Sequence, residues 1–484
     1  MRVEQIYTGC LAHGAYYIES AGEAAIIDPL RETKPYLDRL QGSGARLKYI
    51  LETHFHADFV SGHLDLARAT DAEIVFGPMA APDYSVHLAR DGEELQLGNV
   101  TIKVLHTPGH TMESTTYLLR DEAGKDYAIF TGDTLFLGDV GRPDLAIKQG
   151  ELTKEDLAGH LFDSLREKIV PLADDVIVYP GHGAGSACGK NLSKETSGLL
   201  GDQKQLNYAL RADMTREEFI EEVTAGLTPP PQYFGKNAMM NKQGYTSFDE
   251  VLAKGDHALS PSEFENLANA EEALLLDVRD REAFSTAHVP NSIWIGIDGQ
   301  FAPWVGALIV DIKQPILLVA PEDRTEEVVT RLSRVGYDNV LGYLAGGIDA
   351  WTATGRETDT IENVDAAAFA QLVENGTVRS IIDVRKPTEF LAEHLTAAEN
   401  YPLDYLNGQH AANLSRGEKR YLHCGSGYRS LIAASILRAR GYRELVNIRG
   451  GWGALKETEL SRSDYQCPTK MAQASVDEAV AAVL

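Results

Sequence analysis

Short apolar runs, each closed by a polar cluster, set the rhythm of the first 231 residues. "AAIIDP", "LKYILETH", "AEIVFGP", "VTIKVLHTPGH", "YAIFTGD" and "VIVYPGH" predict buried strands, each followed by a loop. His, Asp and Gly gather just past the apolar part of these runs, where rigid strand ends present side chains from loops. The stretch "LTPPPQYFGKNAMMNKQGY", residues 227 to 245, breaks the rhythm with three prolines and reads as a linker.

Past the linker the pattern duplicates. "LLLDVRDREAFSTAHVPNSIWI" (274–295) matches "SIIDVRKPTEFLAEHLTAAENYPL" (380–403), and "PILLVAPEDRTEEVVTRLSRVGYDNVLGYLAGGIDAW" matches "RYLHCGSGYRSLIAASILRARGYRELVNIRGGWGAL". Alternating strand and helix patterns in each copy predict two small parallel α/β domains. The expected organisation is a first domain over 1–235, a linker over 236–255, repeat domains over 256–357 and 361–460, and a tail over 461–484 with room for a short helix.

Composition narrows the partners. The chain has 484 residues, about three domains' worth, with 44% apolar and 24% charged residues. No apolar run approaches the roughly 18 residues needed to span a bilayer, and "MRVEQIYTGC" lacks a secretory signal, so the cytoplasm is expected. A net charge of −26 argues against nucleic acid and anionic membranes as partners. Cys10, Cys188, Cys424 and Cys467 are far apart and form no CxxC pair, so each counts as a separate thiol.

Two clusters carry chemistry. The first gathers His54, His56 and Asp58 after one predicted strand, His110 in "HTPGH", Asp133 in "TGD" and His182 in "YPGHG". Six lone-pair donors at successive strand ends point to a metal site. The second is "HCGSGYRS", residues 423–430, between a predicted strand and a helix marked by Ile432, Ile436 and Ala439 and stopped at Gly441. A cysteine heading a Gly-rich turn, with Arg429 at Cys+5, suits a thiolate or a bound anion.

The first cluster resembles the metallo-β-lactamase superfamily, which implies an αββα sandwich over about the first 230 residues. Dinuclear hydrolases of that superfamily, such as the glyoxalase II type, place a histidine where this chain has Phe59, so a second metal here would lack a ligand. "DTLFLGDVGRPDL" and "GHGAGSACGKNLS" are similar to the persulfide dioxygenase branch. That resemblance implies one Fe(II) per dioxygenase domain, held by His54, His110 and Asp133, with His56, Asp58 and His182 as supporting partners. Two His and one carboxylate make the facial triad of non-haem iron oxygenases. Cys188 has two readings: an inert buried thiol, or a thiol beside the iron that accepts or relays sulfane sulfur.

The repeats resemble the rhodanese family. The resemblance makes Cys424 the sulfur acceptor and gives Arg429 the anion, with the N–H groups of Gly425, Ser426, Gly427, Tyr428 and Ser430 as a cradle. In the first repeat Ala320 stands at the cysteine position beside Glu322 and Asp323, so that copy is expected to be inactive. The implied whole is a persulfide dioxygenase–rhodanese fusion acting on small-molecule persulfides, thiosulfate, sulfite and O2, expected as a homo-oligomer. The alternatives are a zinc thioesterase with appended sulfur-carrier modules, and a non-enzymatic sulfur carrier.

Overall fold

The computed structural model describes every residue except 147–151, 191, 228, 408–413, 468–477 and 483–484. The chain forms two compact units, Met1–Glu250 with Thr330–Asp338, and Val251–Val329 with Asn339–Leu484.

The first unit holds two six-stranded sheets. One runs in chain order through Arg2–Thr8, His13–Ser20, Glu23–Ile27, Arg46–Glu52, Glu73–Phe76 and His87–Leu88. It is antiparallel across its first three strands and parallel thereafter. The other runs Gly198–Leu199, Ile177–Pro180, Asp126–Gly132, Thr115–Arg120, Val100–His106 and Glu94–Leu97.

Period-two alternation explains the layering. In Glu23–Ile27, Ala25 and Ile27 join Ile102, Val104 and Phe130 of the facing sheet, which forms the inter-sheet core. Ala24 and Ile26 point the other way, onto Tyr36 and Leu40 of the helix Lys34–Ser43 and Leu66 of the helix His63–Thr70. The outer face of the second sheet packs Ile129 and Val178 on Leu161 of Lys154–Ser164 and Phe219 of Arg216–Thr224. This is the expected αββα sandwich, and all six predicted strands are present in it.

The stretch expected as a linker is largely helical. Phe234–Gln243 and Phe248–Gly255 are helices. The prolines and residues 244–247 lie outside these helices. The first helix leaves no apolar stripe in the sequence, because its buried face includes two asparagines, Asn237 and Asn241, at i and i+4.

The second unit contains the sheets of both repeats, each five-stranded and all-parallel. The first is ordered Ala258–Leu259, Val340–Leu344, Ile316–Val319, Leu274–Asp277, Ile293–Trp294; the second Glu362–Asp365, Leu445–Arg449, Arg420–His423, Ser380–Asp383, Ala398–Asn400. The two orders are the same when matched strand by strand, as the internal repeat requires. A short helix occupies residues 478–482 of the tail.

Candidate metal centre and cysteine loop

Each candidate ligand follows a strand whose buried sequence fixes where the strand ends. His54, His56 and Asp58 lie just after Arg46–Glu52, His110 after Val100–His106, Asp133 directly after Asp126–Gly132, and His182 after Ile177–Pro180. All six are buried. Close packing leaves little latitude: a Cβ on Gly181 would sit 2.7 Å from Asp133 Oδ1.

Three of them converge. One ligand atom from each of His54, His110 and Asp133 falls within 4.8 Å of the others, and His110 Nε2 is 3.5 Å from Asp133 Oδ2. Their other polar atoms are committed. The Arg142 carbonyl accepts from His110 Nδ1 at 2.9 Å, which leaves Nε2 with its lone pair. Thr53 Oγ1 donates to Asp28 Oδ2 at 2.8 Å, so it accepts from His54 Nδ1 at 3.0 Å and frees the Nε2 of that ring. Asp133 Oδ1 accepts from His182 at 2.8 Å, whereas Oδ2 is buried without a hydrogen-bond partner among the described residues. Burial and the neighbouring His56 hold the His54 pKa well below the ordinary imidazole value, which keeps the ring neutral. An orphaned carboxylate oxygen facing two imidazole lone pairs fits a cation.

His182 cannot join them as it stands. Its Nδ1 donates to Asp133 and its Nε2 to Asp58, both at 2.8 Å. Burial opposes a charge there, but the two carboxylates outweigh it and raise its pKa well above the ordinary value. An imidazolium with both nitrogens donating has no lone pair for a metal. Phe59, where a further donor would stand, stacks on His56 at 4.3 Å and tilts against His13 at 4.3 Å.

Two further groups of donors adjoin the site. Asp58, His182 and Cys188 come within 4.8 Å of one another, as do Asp28, Glu52 and His56. In the second, His56 Nε2 is 3.1 Å from Asp28 Oδ1. Burial lowers the His56 pKa, yet Asp28 and Glu52 override it and push it up to about 9. Cys188 is buried, and burial first, then Asp133 and Asp58, raise its pKa far above the usual thiol range. It is therefore a neutral thiol beside the ligand set.

Sequence reasoning missed the scaffold of this loop. Asp28 accepts from the Thr53 N–H and hydroxyl, and Glu52 accepts from Ser61 Oγ at 2.5 Å. Asn241 donates to the carbonyls of His56 and Phe59, both at 2.8 Å, and accepts from the Ser61 N–H at 2.9 Å. "IDP" and "LETH" displayed the two acids at strand ends; nothing local marks Asn241.

In the second repeat Cys424 follows the strand Arg420–His423 and is buried. The loop turns through Gly427 at φ 93°, a left-handed conformation that favours glycine, into the helix Tyr428–Ala439. Of the cradle residues, Gly427 donates its N–H to Cys424 Sγ at 3.2 Å, and the Ser430 hydroxyl lies 3.6 Å from the sulfur and donates to Asn447 Oδ1 at 2.7 Å. The Tyr428 hydroxyl donates to the Gly296 carbonyl of the first repeat at 2.7 Å. Arg429, expected to hold the anion, makes a bidentate pair with Glu389 at 2.6 and 2.9 Å. In the first repeat Ala320 follows its strand, and Glu322 accepts from the Gly346 N–H at 2.6 Å, so no nucleophile stands there.

Comparison with known proteins fits these features. The metallo-beta-lactamase superfamily model matches residues 8–182, and the rhodanese-like domain model matches 260–354 and 365–458. A metallo-beta-lactamase structure from Staphylococcus aureus subsp. aureus COL is 30% identical with a TM-score of 0.62, covering 71% of this chain and 98% of that one. Human mitochondrial persulfide dioxygenase ETHE1 is 29% identical over 43% of this chain and 74% of its own length. A probable hydroxyacylglutathione hydrolase of Schizosaccharomyces pombe is 32% identical over 37% of this chain, which spans 66% of that protein. The chain belongs to the metallo-β-lactamase superfamily, as an ETHE1-like domain followed by two rhodanese-like domains.

Proposed function

We propose that the first domain oxidises a low-molecular-weight thiol persulfide with O2, using one Fe(II) held by His54, His110 and Asp133, and that Cys424 carries sulfane sulfur in the second rhodanese-like repeat. The observation that carries the reading is the donor set itself: two imidazole lone pairs and one orphaned carboxylate oxygen, next to a His182 whose nitrogens are both engaged. Two His and one carboxylate would hold ferrous iron, which when bound would supply O2 chemistry that zinc does not.

The chain's own groups do the rest. His182 pins the Asp133 Oδ1 edge, so that Oδ2 faces the histidines. Phe136 beside His182 and Phe59 stacked on His56, both buried, put apolar rings next to the site. The balanced reaction is R–S–SH + O2 + H2O → R–SH + SO3²⁻ + 2 H⁺. Cys188, buried near Asp58 and His182 and held as a neutral thiol, fits the inert reading better than that of a sulfane-sulfur acceptor.

At Cys424 the balanced exchange is Cys–S–S⁻ + SO3²⁻ ⇌ Cys–S⁻ + S2O3²⁻. The sulfite lone pair attacks the outer sulfur and the cysteine thiolate leaves, received by the Gly427 N–H. Joining both sites in one chain raises the effective concentration of a reactive intermediate. Sulfide detoxification follows as the role.

A second reading has support in the similarity to the hydroxyacylglutathione hydrolase: a zinc-dependent thioester hydrolase carrying sulfur modules. Assaying the full chain with glutathione persulfide and with a glutathione thioester separates them. Sulfite formed in step with O2 consumption is expected. Thioester hydrolysis without O2 uptake would replace the first reading with the second.

A further inference from the structure

Taking the sulfur-transfer reading of Cys424 as its basis, we propose that Arg281, from the repeat that lacks a cysteine, recognises the sulfur oxyanion that reacts at Cys424. The substrate class is a small sulfur oxyanion dianion, thiosulfate or sulfite.

Three arginines of the active repeat are already paired with carboxylates. Arg429 is held by both oxygens of Glu389. Arg385 is paired in the same way with Asp383 and lies over the Trp452 ring at 4.5 Å. Arg449 pairs with Glu282, 2.5 Å at its shorter contact. These three guanidiniums therefore offer a dianion little net charge. Arg281 differs: among the described residues no carboxylate engages it, and its Nη1 lies 3.5 Å from the Ser426 carbonyl of the Cys424 loop.

Arg281 also lines a cavity of about 110 Å³ where the two repeats meet. That volume exceeds the space one water needs and suits a small oxyanion. Gly427, Asn363 and Asn447 line it too. Each connects to the sulfur: Gly427 donates to Cys424 Sγ, Asn447 accepts from the Ser430 hydroxyl beside that sulfur, and Asn363 accepts from Asn447 Nδ2 at 2.8 Å.

The first repeat holds this arrangement in place. Tyr428, the loop residue before Arg429, meets the edge of Trp294 at 5.0 Å and donates to the Gly296 carbonyl. A Cβ on Gly299 would fall 2.3 Å from the Tyr428 ring, so only glycine leaves the ring its place. The inactive repeat thus anchors the catalytic loop and supplies the uncompensated guanidinium that the loop lacks.

Thiosulfate-dependent sulfur transfer to cyanide by the full chain tests this. Arg281 is exposed, so Arg281→Ala leaves the core intact. It should raise the KM for thiosulfate about tenfold with kcat within about twofold, because a binding interaction shared by ground and transition states is lost. Arg281→Lys should recover part of the affinity, and added salt should raise KM more steeply in the wild type than in Arg281→Ala. An unchanged KM in Arg281→Ala, or a loss confined to kcat, overturns the assignment while sulfur transfer itself stands. Absence of turnover in the wild type would overturn the sulfur-transfer reading and this inference with it.

Discussion

Replacing Asn241 with alanine is expected to loosen the metal loop from a residue that touches none of the ligand atoms. Asn241 is 1% exposed and makes three hydrogen bonds to the backbone of the 56–61 segment. Each is worth about 1 kcal/mol net, so their loss destabilises the first unit by about 3 kcal/mol. At about 2–4 °C per kcal/mol for a unit of this size, its melting transition should fall by about 6–12 °C. Removing a group that orients ligands also lowers metal affinity, by about 10–100-fold. Calorimetry of the metal-free chain reads the first effect and chelator competition the second. Asn237→Ala supplies the control: Asn237 is buried one turn earlier on the same helix, and its side chain has no hydrogen-bond partner among the described residues. If Asn241→Ala binds metal within about twofold of the wild type, or if Asn237→Ala weakens metal binding equally, the scaffold argument is refuted.

Other consequences are as direct. Cys424→Ser should abolish thiosulfate-dependent sulfur transfer and leave O2 consumption with a persulfide largely intact; loss of both activities would mean that the two sites are not separable. Asp133→Ala removes the orphaned carboxylate oxygen, so metal content and persulfide oxidation should fall together, and retention of both would show the ligand set to be misassigned. Burial pulls the Glu389 carboxyl up, but the Arg429 hydrogen bonds outweigh it and hold its pKa below the ordinary value of 4.5. The folded-state pKa is depressed, so the pair's contribution is complete above that ordinary value and is lost as pH falls through the folded value. Wild type and Glu389→Gln should therefore differ in thermal stability at neutral pH and converge on acidification; a constant difference down to about pH 3 would contradict the assignment.

The layered fold was legible because its determinants are local. Alternation in "AAIIDP" and "YAIFTGD" writes both faces of a strand into a few residues, and the repeat announced two copies of one sheet. His54, His110 and Asp133 could be named because each sits next to a readable strand end, and their convergence then follows from the sandwich. What the residues do with their remaining atoms was not legible. The pairing of His182 with Asp133 and Asp58 joins positions 49 and 124 residues apart. Asn241 reaches its loop from 185 residues away, out of a helix disguised by its polar buried face. Arg429 was given the anion from its place in the loop, and only three-dimensional structure reveals Glu389 opposite it. Long-range polar pairing leaves no periodic trace in a chain, whereas apolar burial does.

Persulfide oxidation by this chain rests on one redox-active ion bound by two histidines and a carboxylate. Metal analysis of the chain purified without oxygen and without added metals, followed by O2 uptake on glutathione persulfide, tests it most directly. One iron per chain is expected, with O2 consumption that disappears when the iron is removed. Two zinc ions per chain, with no O2 uptake, would contradict it.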